Sequence, residues 1–596
     1  MYRAPTRDLT FVLDEICGGD ELTELFENVD YSRDLAASVL EEAAKFAETV
    51  LEPLNKSGDE QGASWTPDGV VTPAGFVQAY GQFVDAGWSQ LGISPELGGQ
   101  GMPLSLCTAV EEIWSGANMA FSLGSTLSRG AISAMEYCGT AEQKTLLLPK
   151  LVTGEWTGTM NLTEPQAGSD LALIRTRAVS DGDHYRIFGQ KIFITYGDHD
   201  MTANILHLVL ARIDGAPPGV RGISMFFVPK FLINADGTLG ARNDVSCLSI
   251  EHKLGIHGSP TCVMSYGEKE GAFGWLAGEV NKGLEYMFVM MNAARIAVGM
   301  QGVALSERAF QQAIGWARTR VQGKPPTATD AKGPLTIIHH PDVKRMLLTM
   351  KARTEAMRAL ALYTAFELDK AHANKDEKRR ADALARGELL IPVVKAWSTE
   401  SGVDVASLGI QVHGGMGFIE ETGAAQTLRD VRITTIYEGT TGIHANDLIG
   451  RKLGRDRGAA MTSLVQDLLL ELNNLRAVEP TPRIVKNGAM EGLTLLRDTA
   501  ESVLQAYQQD PALALAVGVP FLKLCGTVFG GALIAKGAAI AATRVGAATG
   551  EDAQFYQAKL QTARFYAEHI LPEAYSLARI VKSGAGSVID ADVATL

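Results

Sequence analysis

Glu438 stands in the octapeptide Ile436-Tyr437-Glu438-Gly439-Thr440-Thr441-Gly442-Ile443, between two stretches of helical periodicity. Ile436, Tyr437 and Ile443 can exclude water from its carboxylate. Burial disfavours the charged form and raises the pKa toward the range in which a glutamate takes a carbon-bound proton near neutrality. The same residues also fit an exposed loop glutamate, because a match as short as Tyr-Glu-Gly-Thr recurs by chance. The choice between the two rests on what accompanies it.

Several other segments carry groups able to hold a polar ligand. Leu162-Thr163-Glu164-Pro165-Gln166-Ala167-Gly168-Ser169-Asp170 pairs hydroxyls with a glycine turn, where backbone N–H and Oγ atoms can reach a flat polar ring; a plain strand-to-strand turn reads the same way. Arg320 ends a helical pattern before a Gly/Pro-rich loop. There a guanidinium either complements the helix dipole or grips a pyrophosphate through two bonds. Gln411-Val412-His413-Gly414-Gly415-Met416-Gly417 supplies glycines that let backbone approach a ligand closely. Arg295, taken by itself, reads as a helix-surface ion-pair partner. Ala294 beside it cannot take a proton.

These groups must be positioned by more than one structural unit, since 596 residues suffice for about three or four. Helical spacing runs from Asp34 to Leu51, where Pro53 should end it, and resumes after the turn Leu97-Gly98-Gly99-Gln100-Gly101 through Cys138. From about 160 to 275 short β-rich runs (His184 to Thr195, Ile205 to Ile213, Ile223 to Val228) alternate with Asp-Gly, Gly-Asp and Pro-Pro-Gly breaks, predicting an antiparallel β unit. Long helices return over Tyr286 to Val321, Asp342 to Ala373 and Asp376 to Val412, with Gln322 to Pro334 as a connecting loop. Gly450 to Pro482 and Asn487 to Ile589 add further helices, divided by a loop at Glu479-Pro480-Thr481-Pro482. The fold class expected is α+β and multidomain: an N-terminal extension (1–34), a helical domain (35–158), a middle β-barrel-like domain (159–284), a helical bundle (285–452) and a C-terminal helical extension (453–596).

Composition narrows the function. A net charge of −14 argues against sequence-independent nucleic-acid binding, which needs a basic face to displace counterions. Six cysteines without Cys-x-x-Cys spacing read as reduced thiols in a cytoplasmic protein, with no metal site. The N-terminus lacks a signal-peptide pattern. Pro511 to Thr543 is apolar and contains Phe529-Gly530-Gly531-Ala532, but Lys523 and Lys536 interrupt it. Buried packing helices are expected there rather than a membrane span, with peripheral membrane contact as the alternative.

Taken in order, Leu97 to Gly101, Leu162 to Asp170, Gly189-Gln190-Lys191-Ile192-Phe193-Ile194-Thr195, Gln411 to Gly417 and Ile436 to Thr440 resemble the acyl-CoA dehydrogenase family over roughly residues 35 to 450. The long C-terminal addition, Lys253 to Pro260 and Ile443 to Leu448 look most like its subgroup of longer chains that includes 3-methylmercaptopropionyl-CoA dehydrogenases. The resemblance implies an FAD enzyme that converts an acyl-CoA to a trans-2-enoyl-CoA: Glu438 removes the α-proton, the β-hydride passes to flavin N5, and electrons leave to an electron-transfer flavoprotein. It places Leu162, Thr163, Gly168, Ser169, Phe193 and Thr195 at the FAD. Phe193 stands where most members carry Trp. Thr440 is also implied at the FAD, and Arg320, Gln411, Gly414 and Gly415 at the FAD of a neighbouring subunit, which makes a homodimer the smallest competent unit. Ser169, Arg295, Tyr437 and Gly439 are implied at the substrate. Rival readings are an acyl-CoA oxidase, a flavin monooxygenase, which Glu438 opposes, and a DNA-binding protein of the same fold, which the mixed charge of residues 451–596 opposes.

Overall fold

A computed structural model describes residues 2–234, 236–326, 333–477 and 479–595. Part of the predicted loop from Gln322 to Pro334, residues 327–332, lies outside them. The described chain forms two compact units that are discontinuous in sequence: one of residues 45–102 and 117–294, the other of 1–44, 103–116 and 295–596.

In the first unit, Pro53 does not end the N-terminal helical pattern. Helix α1 (Arg33–Phe46), which belongs to the second unit up to residue 44, passes through a π turn, Ala47–Leu51, into α2 (Pro53–Gln61), where Pro53 occupies the first turn. Proline is tolerated at that position because its missing N–H would have no helical partner anyway. Helix α3 (Leu104–Cys138) spans the unit boundary and breaks at Asn118, whose side-chain oxygen accepts from the Phe121 N–H at 3.1 Å and so starts the second half.

The β unit comprises β1 (Trp156–Asn161), β2 (Arg177–Asp181), β3 (His184–Thr195), β4 (Asn204–Ile213), β5 (Ser224–Pro229), β6 (Val245–Ile250), β7 (Thr261–Tyr266) and β8 (Ala272–Ala277). They join in one sheet in the order β6-β7-β3-β8-β5-β4-β1, with β2 pairing β3 and β4. The antiparallel expectation needs correction at two places: β1 runs parallel to β4 (Trp156 opposite Asn204) and β2 parallel to β4 (Arg177 opposite Arg212). Leu206, Leu208, Leu210 and Phe227 pack with Ile132, Met135 and Met290 on one face; Val209, Ala211, Phe226 and Val228 fill the other. Burial of both faces is why β4 reads as a continuous apolar run rather than an alternation.

The second unit is built on α4 (Gly283–Thr319, from Arg295), α5 (Pro341–Ala373) and α6 (Glu377–His413), followed by α7 (Ala424–Arg432), α8 (Thr441–Asn446), α9 (Ala459–Asn474), α10 (Pro480–Gln509) and α11 (Gly518–Val545). Glycines set the closest approach: a Cβ at Gly302 would fall 2.5 Å from the Ser398 carbonyl oxygen, so α4 and α6 touch backbone to backbone. The expected loop at 479–482 is instead the start of α10, with Pro480 in its first turn. Helix α11 is apolar and long enough to cross a membrane, yet 89% of its apolar window is buried. It packs on α5 and α6, where Gly526 and Gly530 receive the Trp397 ring and Gly531 receives Tyr566. The N-terminal segment joins this unit through Lys559, which pairs with both Asp8 and Glu355. All six cysteines are free.

Candidate active site

Glu438 lies in a turn between the 3-10 segment Ile433–Thr435 and α8. Its backbone is left-handed (φ 54°), and Gly439 follows at φ 98°. A non-glycine residue held there is strained, which marks a position over-determined by its surroundings. Two donors close on the turn: Lys395 Nζ of α6 donates to the Gly439 carbonyl at 2.5 Å, and His444 Nε2 of α8 to the Glu438 carbonyl at 3.0 Å. Thr440 accepts from the Ile443 N–H at 3.5 Å, starting α8.

Burial pushes the Glu438 carboxyl up to about 7, against the opposing pull of Arg295 and Lys395. Ile436 contributes less to this than its sequence position implies, since it is 48% exposed. The protein around the partly open carboxyl is polar. Arg295 of α4 is buried and donates to Asp447 at 3.0 Å, so it is not a surface pair. The Tyr437 hydroxyl donates to buried Gln301, and Thr441 donates to Glu400 at 2.6 Å. Lys395, His444, Gln301 and Asp447 were not singled out as site residues from sequence. A lysine in the otherwise apolar run Leu389 to Trp397 was the available signal.

In the other unit, the Leu162–Ser169 loop is locked to β3 from beneath. Buried Lys191 donates to the Leu162 carbonyl at 2.9 Å and to Glu164 at 2.8 Å; Glu164 also accepts from the Thr176 hydroxyl at 2.6 Å and the Thr176 N–H at 3.0 Å. Lys191 and Glu164 are mutually stabilised ions: Glu164 is held down at about 2 by Lys191 and these hydrogen bonds, against its desolvation. The Ile192 N–H donates to the Thr163 carbonyl at 2.9 Å, bringing loop and strand side by side. Above this support Phe193 is 58% exposed at φ 60°, while Thr163 and Thr195 are partly open and Gly168 and Ser169 exposed. An exposed aromatic ring flanked by hydroxyls suits a planar polar heterocycle.

Ring contacts link Arg320 to the end of α6, the segment that carries Gln411, Gly414 and Gly415. The Arg320 guanidinium lies 5.9 Å from the Trp316 ring, and Trp316 stacks on His413 at 5.4 Å, one residue before Gly414. All four predicted residues are exposed, and a Cβ at Gly414 or Gly415 would meet open space. An exposed arginine beside uncovered backbone fits a phosphate-bearing ligand. Both sets of residues therefore fit FAD. Among the described residues no cluster could hold a metal.

Comparison with known proteins agrees with this chemistry. Residues 35–155, 159–268 and 281–453 match the N-terminal, middle and C-terminal domains of acyl-CoA dehydrogenase, and 486–592 match a domain described as acetyl-CoA dehydrogenase C-terminal like. The chain is 45% identical over 573 residues, 96% of each protein, to 3-methylmercaptopropionyl-CoA dehydrogenase of Ruegeria pomeroyi. In fold it matches ACDH-11 of Caenorhabditis elegans, solved with C11-CoA (TM-score 0.78, 21% identity, 100% of this chain and 96% of that one). It also matches an acyl-CoA dehydrogenase of Bacillus anthracis, solved with FAD (TM-score 0.72, 22% identity, 91% and 88% covered). The chain belongs to the acyl-CoA dehydrogenase family of FAD-dependent oxidoreductases.

Proposed function

We propose that this enzyme dehydrogenates a short or medium acyl-CoA thioester, with 3-methylmercaptopropionyl-CoA as the first candidate, at the α,β bond. The observation that carries the reading is the Glu438 turn: a carboxylate whose burial poises it at about 7, in a strained backbone. Glu438 takes the α-proton onto its carboxylate. Its backbone N–H serves as a donor toward the thioester carbonyl, lowering the cost of the charge that develops there. FAD, when bound, supplies the acceptor for the β-hydride.

Leu162, Thr163, Gly168, Ser169, Phe193 and Thr195 hold one flavin. Thr440 also contacts the cofactor, while Arg320, Gln411, Gly414 and Gly415 reach the cofactor of a second copy, so the working form is a homodimer. Ser169, Arg295, Tyr437 and Gly439 border the substrate. Arg295 does so from behind, as an ion pair with Asp447, and Tyr437 turns its hydroxyl onto Gln301. An electron-transfer flavoprotein takes the electrons in the cytoplasm. The 45% identity to 3-methylmercaptopropionyl-CoA dehydrogenase along the whole chain supports the choice of acyl group.

A panel of acyl-CoA thioesters assayed with an electron-transfer flavoprotein, a dye, or air as acceptor tests this. The highest kcat/KM is expected for 3-methylmercaptopropionyl-CoA or butyryl-length chains, with slow reoxidation in air. Preference for long chains would overturn the substrate proposal, and rapid turnover with oxygen would make the enzyme an oxidase.

A further inference from the structure

Two consecutive residues have positive φ, and while glycine adopts it freely, a glutamate there is strained and persists only where neighbours enforce it. Here the enforcing contacts are identifiable. The carbonyls of Glu438 and Gly439 each accept from a buried side chain, His444 Nε2 at 3.0 Å and Lys395 Nζ at 2.5 Å. Gly439 cannot be replaced without disturbing the arrangement, because a Cβ there would sit 3.0 Å from His444 Nε2. We infer that Lys395 and His444 are positioning residues that fix the Glu438–Gly439 turn in its reactive shape. This rests on the reading of Glu438 as the base.

The chemistry of the two donors differs. Burial, with Lys395 and Arg295 nearby, pushes His444 down to about 2, so its imidazole is neutral and the proton that meets the Glu438 carbonyl sits on Nε2. Lys395 is a cation source in an apolar helix run, and burial pushes it down to about 7 while Glu438 draws it back up. A hydrogen-bond donor alone would not require lysine at so costly a place. What lysine adds is a charge, carried below about pH 7 where the acid limb lies. The groups facing it are Glu438 on the turn, Glu400 on its own helix, Arg295 on α4 and His444 on α8. Arg295 is partly neutralised by Asp447, which also faces Arg451, and Glu400 lies 3.9 Å from Lys523 of α11. Lys395 and Arg295 thus both favour the ionised base, and Lys395 does so while gripping the carbonyl of the next residue, Gly439.

Stopped-flow flavin reduction across pH in Lys395→Arg, Lys395→Gln and Lys395→Met separates the two roles, with flavin content and melting temperature recorded for each. Lys395→Met should slow reduction at pH 8 roughly 100-fold, with substrate affinity changed only a few-fold, because placement of the base acts on the chemical step. Its acid limb should move to higher pH. Lys395→Gln, which keeps a donor but no charge, should recover most of the maximal rate while retaining the shifted limb, and Lys395→Arg should keep the limb in place. The infrared carboxyl band of protonated Glu438, assigned with Glu438→Gln, should titrate at correspondingly higher pH in the Gln and Met variants. His444→Leu should slow reduction with the limb unmoved. Wild-type rate and limb in Lys395→Met would overturn the inference; if that variant fails to fold, an unshifted limb and band in Lys395→Gln would do so. Undiminished flavin reduction by Glu438→Gln would sink the base assignment itself, an outcome distinct from either.

Discussion

The pH dependence of flavin reduction follows from the surroundings of Glu438. With its carboxyl poised at about 7, roughly one-eleventh is ionised at pH 6 and ten-elevenths at pH 8, so the second-order rate of reduction at sub-saturating substrate should rise about tenfold between them. An ordinary exposed glutamate would give a flat profile there. Replacing Asp447 by Asn tests the electrostatic account. Asp447 binds Arg295 at 3.0 Å with both side chains buried, and the amide keeps size and one acceptor while removing the neutralising charge. The uncompensated guanidinium should then stabilise the Glu438 carboxylate by about 1.4 kcal/mol, moving the acid limb down by about one pH unit. The folding linkage has the matching sign. A carboxyl raised in the folded state binds its proton more tightly there, so its contribution is fully present below the unfolded value and is lost as pH rises through about 7. Stopped-flow bleaching and thermal melts over the same buffers measure both. A flat wild-type profile between pH 6 and 8, or an acid limb in Asp447→Asn that moves upward, would refute the reasoning.

Other consequences are separately measurable. Arg320→Ala should release FAD on dilution and gel filtration with little change in melting of the flavin-free protein, since it removes a charge-assisted phosphate contact; full flavin retention would contradict it. Gly526→Ala would place a Cβ 2.2 Å from Trp397 Cγ, so α11 must shift from α6 at a cost of about 1–3 kcal/mol, read as a lowered denaturant midpoint. An unchanged midpoint would show the contact to be slack. Sedimentation of the intact protein should give a dimer, because Arg320 and Gln411 are proposed to reach a partner's cofactor while the C-terminal helices lie on their own bundle; a tetramer, or a monomer that keeps tight FAD, would contradict this.

Much of the site was legible because its residues are unusual in their local setting. A glutamate bounded by glycine, paired glycines after a helix and an arginine before a Gly/Pro loop are each decided by short-range chemistry. The helices of the bundle were legible for the same reason, their periodicity being local. What escaped the sequence depends on distant partners. The parallel pairing of β1 and β2 with β4 joins segments tens of residues apart, and alternation in β4 is erased by burial on both faces. The continuation of α1 through Pro53 and the start of α10 at Pro480 turn on whether proline falls in a first turn, which spacing alone does not decide. The supports of the site, Lys395 and His444 for the turn, Lys191 and Glu164 for the loop, are charged or polar groups in apolar runs. Their meaning appears only when the group each one grips is known.

The most direct test of the central claim is anaerobic mixing of Glu438→Gln holoenzyme with an acyl-CoA that bleaches the wild-type flavin. The amide keeps the size of the side chain and the backbone grip of Lys395 and His444 but cannot accept the α-proton. Flavin content and substrate affinity should therefore stay near wild type while the reduction rate falls by at least about a thousandfold. Bleaching at close to the wild-type rate would contradict the account.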